Sequence, residues 1–128
     1  MNELSATAST QGERSRLASA ERPIDLVHLA RMTFGDRGLE REVLQLFDRQ
    51  TVFLMERIQS GASQDVPALV HMLKGAARAI GATSVARAAE AVELVDRAAE
   101  SDRRRAIAEL RACTEEACAF IADLLRAH

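Results

Sequence analysis

The stretch VPALVHMLKGAARAIG, residues 66–81, decides the fold because its apolar residues recur with the period of an α-helix. Pro67 is tolerated in a first helical turn, and Asp65 or Ser63 before it can serve as the N-cap. Gly81 suits the position just after the last helical turn. At about 100° per residue the apolar side chains collect on one face. The stretch therefore predicts an amphipathic helix whose apolar face consists of Val66, Leu69, Leu73, Ala76, Ala77 and Ile80.

Helical periodicity continues on both sides of this stretch. Before it, a short helix follows Pro23 with Asp25 as its N-cap, and a longer helix covers about residues 36–59. After it, helices are predicted over about residues 83–99 and from a cap at Ser101 to the C-terminus. Short loops force successive helices to pack antiparallel, so the chain is predicted to be all-α: an antiparallel up-down-up-down four-helix bundle with a short additional N-terminal helix. The other predicted core positions are Leu39, Val43, Phe47, Leu54, Ile58, Val85, Ala88, Val92, Val95, Ala99, Ile107, Leu110, Ala117, Ile121 and Leu124.

Length and composition indicate a single domain of 128 residues with a net charge of -2. Residues 1–22 lack helical periodicity and are predicted to form a flexible tail, so the bundle domain is expected over residues 23–128. The chain has no basic block that would suggest nucleic acid, no signal-peptide core, and no run of about 18 apolar residues that would suggest a membrane span. Cys113 and Cys118 lie about 140° apart on a helix, which makes a disulfide between them unfavourable. A cytoplasmic protein is expected.

His71 is predicted to point away from the core, on the polar face of its helix. Gln64, Pro67, Lys74, Gly75 and Arg78 fall within about 60° of it. An outward histidine is often an incidental surface residue, but Gly75 argues for more. A glycine inside a helix costs about 1 kcal/mol relative to alanine, and this glycine is not needed by the core. It indicates that another molecule approaches the helix beside His71.

Several kinds of site are not supported by the sequence. The histidines, His28, His71 and His128, lie on separate segments without ligand spacing, so no metal site is predicted. His28 is expected to pack within the short leading helix. The chain has no glycine-rich phosphate-binding loop and no nucleophile elbow, which argues against ATP binding and against hydrolysis. The protein is therefore not expected to be an enzyme with cofactors of its own.

The stretch HMLKGAARAIG resembles the H-x-L-K-G-x-x-x-x-x-G signature of histidine-containing phosphotransfer (HPt) domains of bacterial phosphorelays. The matching residues are His71, Leu73, Lys74, Gly75 and Gly81, and the leading segment from about residue 23 is also similar. One departure is Val70, where many members carry a small residue. The helical wheel places Val70 at the flank of the core face, where it should alter packing more than chemistry.

The resemblance implies a covalent phosphocarrier. His71 would accept a phosphoryl group from an aspartate of one receiver domain and pass it to another, with Lys74 and Arg78 as charge support and Mg²⁺ in the receiver. The partners would be receiver domains of response regulators or of a hybrid histidine kinase, and the protein would act as a monomer. Gly75 would permit close approach, and the further expected partner contacts are Gln64, Pro67, Ala68, Val52 and Phe53, although Phe53 is expected to pack mainly inward.

Two other functions stay open at this stage. The alternative is a helical adaptor that docks receiver domains without carrying phosphate. The chain is also compatible with a purely structural bundle in which Gly75 has no role. Acid-labile phosphate on the protein would distinguish the phosphocarrier from the adaptor, and a flat surface of small residues beside His71 would argue against the structural bundle.

Overall fold

The computed structural model describes residues 22–60 and 64–127, and every regular element in them is an α-helix. The predicted all-α bundle with a short leading helix is therefore confirmed. Most of the predicted tail, the alternative N-cap Ser63 and the terminal His128 lie outside the described residues. The helices are α1 (Leu26–Met32), α2 (Arg37–Gln59), α3 (Val66–Ile80), α4 (Thr83–Leu94) and α5 (Glu100–Ala127).

The ends of α1, α2 and α3 are set by residues close in sequence. Asp25 caps α1, where its carboxylate accepts hydrogen bonds from the amides of Val27 and His28, both at 3.1 Å. Asp36 caps α2 in the same way. Gly81 ends α3 with φ +86°, a left-handed conformation that glycine adopts without a Cβ penalty. These three predicted boundaries are observed because their signals are local.

The connection between α4 and α5 differs from the prediction. Helix α4 ends at Leu94 rather than near residue 99, and Ala99 is exposed instead of buried. Helix α5 already begins at Glu100, so Ser101 lies inside its first turn and is not the N-cap. The guanidinium of Arg103 donates to the Ala98 carbonyl at 2.5 Å, which stabilises the turn from the following helix. The apolar period of the sequence continues through Val95, which is half-buried although it lies beyond the end of the helix, and so it did not reveal the break.

The core lies between α2, α3, α4 and α5, which pack in a closed ring with each helix beside its two neighbours. Alanines on α3 and α4 allow close approach of these two helices, which have the most extensive contact of any pair. Val70 is completely buried rather than placed at the flank of the core, and Leu39 is more exposed than its stripe predicted. The residues buried most completely include Leu44, Leu54, Leu73, Val85, Leu110 and Ile121.

Helix α1 docks on the C-terminal end of α3 through its polar groups. The Asp25 amide donates to the Gly81 carbonyl at 2.8 Å, and His28 Nε2 donates to the Ala79 carbonyl at 2.8 Å. His28 is thus occupied in holding the leading helix against α3, whereas the sequence predicted only that it packs within the leading helix. These contacts anchor the C-terminal end of α3, about two turns beyond His71.

Cys113 and Cys118 are free thiols, half-buried on α5, and burial raises the pKa of the Cys113 thiol to about 11 and that of Cys118 to about 12. Their thiolates are therefore scarce at neutral pH.

Across residues 22–60 and 64–127, no helix has the length and apolar content required to cross a membrane.

Candidate functional site

The imidazole of His71 is displayed on the outer face of α3. Its side chain is 74% exposed, while Leu69, Val70 and Leu73 around it in sequence are buried. The orientation follows from the helical period, because residues two positions apart lie about 160° from each other around the axis. The structure thus places His71 where the sequence predicted, at the surface of its helix.

Glu93 of α4 brings His71 and Lys74 together. One carboxylate oxygen lies 3.3 Å from His71 Nδ1, and the other lies 2.5 Å from Lys74 Nζ. A carboxylate only accepts hydrogen bonds, so Nδ1 carries the hydrogen in this contact. Nε2 is then the ring nitrogen that remains available to a partner. Sequence inspection missed Glu93 because it lies 22 residues from His71, on a different helix.

The Glu93 carboxylate is kept ionised by this arrangement. The hydrogen bond from Lys74 is the main cause that lowers the pKa of Glu93 below 4.5, and the hydrogen bond from His71 acts in the same direction. Partial burial of the carboxyl group opposes these effects but does not reverse them. A fixed negative charge therefore stands beside the imidazole at neutral pH.

The two cations expected beside His71 are both engaged with α4. Lys74 is only 14% exposed, and its ammonium group is directed at Glu93 rather than at solvent. Arg78 is largely exposed and faces Glu90 at 4.0 Å. Glu90 and Glu93 lie three residues apart and so share one face of α4. The sequence placed these cations on the correct face of α3, but it did not reveal the acidic groups opposite them.

Gly75 leaves open space beside His71. A Cβ built on Gly75 would have no neighbouring atom within 4 Å, and the residue is exposed. Packing within the chain therefore does not require glycine at this position. Its predicted role in close approach by a partner stays a prediction, and the free space around it is what such a role needs.

Three large apolar side chains are exposed, two on α2 and one on α3. Leu46 is 57% exposed, Phe53 is 55% exposed and Met72 is 53% exposed. The expectation that Phe53 packs inward is therefore wrong; its ring lies at the surface under the Arg57 guanidinium, 5.7 Å from the ring centroid. We call Leu46, Phe53 and Met72 the α2–α3 apolar surface. Leu46 and Met72 were missed because each lies outside the regular stripe of its helix.

Neighbouring ion pairs fix the orientation of this surface. Arg57, one turn after Phe53, reaches Asp65 at the start of α3 at 3.6 Å, so this flank of α2 faces α3. Met72 lies on the flank of α3 opposite Lys74, which reaches α4. The α2–α3 apolar surface therefore borders the exposed face of His71.

The structure places the remaining expected contact residues on two different faces of the bundle. Gln64, Pro67 and Ala68 are exposed on the N-terminal side of His71. Val52 is also half-exposed, but it lines a groove with Arg111 and other residues of α5. Val52 thus lies on the other flank of α2, and the structure does not bring it to the His71 face.

The described part of the chain contains no group of three or more His, Cys, Asp or Glu side chains able to hold a metal ion. Comparison with known families supplies the deciding observation: the model of a family described as the Hpt domain matches residues 39–120. The matched region contains more than half of the chain and includes His71, Lys74 and Glu93. The chain belongs to the Hpt domain family.

Hpt domains carry phosphoryl groups on histidine in phosphorelays, act as carriers rather than catalysts, and interact with receiver domains. In this Hpt domain the match begins within α2, so α1 lies outside the matched region, whereas Gly81 lies inside it. No curated protein and no solved structure matches the chain.

Proposed function

We propose that this protein is a histidine phosphotransfer protein of a two-component phosphorelay, in which His71 accepts a phosphoryl group from the aspartate of one receiver domain and passes it to the aspartate of another. The exposed imidazole of His71, with Nδ1 hydrogen-bonded to Glu93, carries this proposal. The partners are receiver domains of response regulators or of a hybrid histidine kinase. The protein works as a monomer in the cytoplasm.

The transfer is a displacement at phosphorus. The lone pair of His71 Nε2 attacks the phosphorus of the receiver's acyl phosphate, the bond from phosphorus to the aspartate oxygen breaks, and the carboxylate leaves. The second transfer reverses these steps on another receiver. Phosphoryl transfer depends mainly on in-line positioning and charge stabilisation. The exposed position of His71 on a helix allows a receiver to reach it, and the receiver contributes Mg²⁺.

Positive charge near His71 comes from Lys74 and Arg78. Both side chains now pair with glutamates of α4, and an incoming phosphoryl group would compete with those carboxylates for them. Lys74 is the closer candidate because it shares the Glu93 carboxylate with His71. We assign it the larger share of charge support on this basis.

The α2–α3 apolar surface is the proposed docking site for the receiver. Exposed apolar groups that lie together beside a functional residue favour an interface with another protein. Gly75 and Ala68 beside His71 are small and exposed, so the backbone of a partner can come close to α3. Gln64 and Pro67 extend this face toward the start of the helix.

The test is phosphate uptake by the full chain from the source organism's receiver domains, charged with acetyl phosphate. Wild type is expected to gain acid-labile phosphate, and His71→Gln is expected to gain none. Because His71 is exposed, the substitution should change the free energy of unfolding by less than about 0.5 kcal/mol. His28→Gln is the matched control, since it removes the other described histidine and should leave labelling intact.

Two outcomes would contradict the proposal. Labelling of His71→Gln at the wild-type level would remove His71 from the transfer. Tight binding of a charged receiver by wild type, without any labelling, would instead support the non-catalytic adaptor.

A further inference from the structure

A groove with a volume of about 240 Å³ lies between α2 and α5. At Gln59 and Arg111 it joins a larger cavity of about 610 Å³ at the end of the bundle where α3 and α5 begin. We call the two together the α2–α5 groove. Their size is in the range of about 300–1,000 Å³ that is typical of small-molecule sites. The residues that line the groove do not include His71, Lys74 or Glu93, so it is separate from the phosphotransfer site.

The lining of the groove includes Thr51, a buried residue with an unusual hydroxyl group. Thr51 is only 1% exposed, and its Oγ1 atom has no hydrogen-bond partner within the described part of the chain. The other buried threonines of that part, Thr33 and Thr114, each donate to a carbonyl group of the preceding helical turn at 2.8 Å. A buried hydroxyl without a partner destabilises the fold. Thr51 therefore brings to the groove a hydrogen-bonding group that the described chain leaves unused.

The larger cavity contributes an apolar wall to the groove. Each of the four bundle helices supplies one aliphatic side chain to it, and these are Ile58, Val66, Val92 and Ile107. Ile58 and Val92 are buried, while Val66 and Ile107 are half-buried. Ligand sites between the helices of a bundle are typically apolar, with a few polar groups that orient the ligand. The α2–α5 groove has this composition, with Thr51 among its polar groups.

The charged side chains of the groove are close to balance. Its described cations are Arg103, Arg104 and Arg111, and its described anions are Glu56, Asp96, Glu100 and Glu115. Arg104 pairs with Glu100 at 3.0 Å, and Arg111 pairs with Glu115 at 3.1 Å. A charged ligand would have to displace one of these pairs or lie beside a like charge, whereas an uncharged ligand would do neither. The groove therefore favours an uncharged ligand.

We propose that the α2–α5 groove binds an uncharged amphipathic small molecule, with an aliphatic body and one oxygen group as in an aliphatic alcohol. The aliphatic body lies against Ile58 and Ile107, and the oxygen accepts the hydrogen bond that the Thr51 hydroxyl donates. Thr51 and Ile58 are seven residues apart on α2, or about 10 Å along its axis, a distance that a straight chain of about eight carbon atoms spans. This site is independent of the phosphotransfer proposed for His71.

The experiment compares three probes on the full-length protein: 1-octanol, octanoate and octylammonium. The probes share the aliphatic body and differ in the charge of the head group. Titration followed by NMR gives the Kd of each probe and identifies the backbone amides that it affects. Wild type is expected to bind 1-octanol about tenfold more tightly than either charged probe, because an unpaired charge loses hydration in the groove. The shifts should concentrate at Thr51, Ile58 and Ile107.

Two valine variants test the role of the Thr51 hydroxyl. Thr51→Val keeps the shape of the side chain and removes the hydroxyl, so it should bind 1-octanol about fivefold more weakly. Without a probe it should melt at a higher temperature than wild type, because the unsatisfied group is gone. Thr114→Val is the matched control, since Thr114 also lines the groove but already donates to the Arg111 carbonyl. It should bind 1-octanol like wild type and should gain no stability.

The proposal would be overturned by a wild-type protein that does not bind 1-octanol, or that binds octanoate or octylammonium equally tightly. Octanol shifts confined to the α2–α3 apolar surface would overturn it too, as would undiminished affinity in Thr51→Val. The comparison of the three probes requires no variant, so it decides the matter even if Thr51→Val does not fold. Phosphate uptake by His71 does not enter any of these measurements, and its failure would leave the groove proposal intact.

Discussion

At the scale of single residues, the imidazole of His71 is both exposed to solvent and held in place by a hydrogen bond. His71 is open to solvent on one side and hydrogen-bonded to Glu93 on the other. Lys74 is tied to the same carboxylate, and Gly75 leaves empty space one turn away. Each of these features would serve the proposed transfer separately, through nucleophilicity at Nε2, charge near the ring, and access for a partner.

Substitutions at Gly75 distinguish the access of a partner to His71 from the stability of the helix. Gly75→Ala should raise the free energy of unfolding by up to about 1 kcal/mol, because alanine is the better helix former and its Cβ meets no atom within 4 Å. Gly75→Leu should also fold but should transfer phosphate from a receiver more slowly, because its side chain occupies the space that the partner needs. Thermal melts and transfer rates, measured together, test both statements.

Ala119→Leu is the matched control for Gly75→Leu. Ala119 is exposed on α5, the helix across the ring from α3, and a leucine there should leave transfer unchanged. Transfer at the wild-type rate by a folded Gly75→Leu variant would show that no partner comes close to this face.

At the scale of helices, α1 and the end of α3 form one unit. The left-handed Gly81 lets the chain turn from α3 into α4, and its carbonyl accepts the Asp25 amide of the α1 cap. His28 donates to Ala79 just before this turn. The end of α3 is therefore held by its own glycine and by α1, whose His28 lies 51 residues before Ala79 in the sequence.

Gly81→Ala should destabilise the protein more than Gly35→Ala does. Both glycines have positive φ, +86° and +71°, so alanine is strained at each by about 1–2 kcal/mol. At Gly81 the new Cβ would also lie 3.1 Å from the His28 ring and 3.2 Å from Asp25, whereas at Gly35 it would meet nothing within 4 Å. Urea denaturation of the two variants measures the difference.

The additional loss in Gly81→Ala isolates the packing of α1 against α3, since the backbone strain is shared by both variants. Equal midpoints of denaturation would mean that α1 moves aside without cost and does not contribute to holding α3.

At the scale of the whole molecule, the His71 face and the groove between α2 and α5 lie on different sides of the bundle. The His71 face joins the α2–α3 apolar surface on one side and the acidic residues of α4 on the other. Val52 belongs to the groove between α2 and α5. A partner that reaches His71 across α2 would therefore be expected to contact Phe53 and Leu46 but not Val52.

Phe53→Ser and Leu46→Ser should each weaken receiver binding, with Phe53→Ser weakening it by about tenfold or more, as is typical of a central aromatic contact. Val52→Ser is the matched control, with an equally exposed residue on the opposite flank of α2, and should bind normally. Affinity for a receiver domain, measured by titration calorimetry, tests these variants. A loss of affinity in Val52→Ser as large as that in Phe53→Ser would place the interface elsewhere.

Much of the fold and part of the site follow from the sequence alone. The apolar period of residues 66–81 predicted α3 and the outward position of His71, and the caps at Asp25, Asp36 and Gly81 set three helix boundaries. These features depend on residues within one or two turns of each other, where spacing along the chain determines distance in space. The family signature in HMLKGAARAIG is local for the same reason.

Only the tertiary structure decided which groups face one another. Glu93 reaches His71 and Lys74 because α4 packs beside α3 in a particular rotational setting, and nothing in the spacing of α4 specifies its partner. Packing also buried Val70, exposed Phe53 and ended α4 at Leu94. The period of a single helix states which side is apolar, but contacts between helices depend on their rotation and register, which the core as a whole determines.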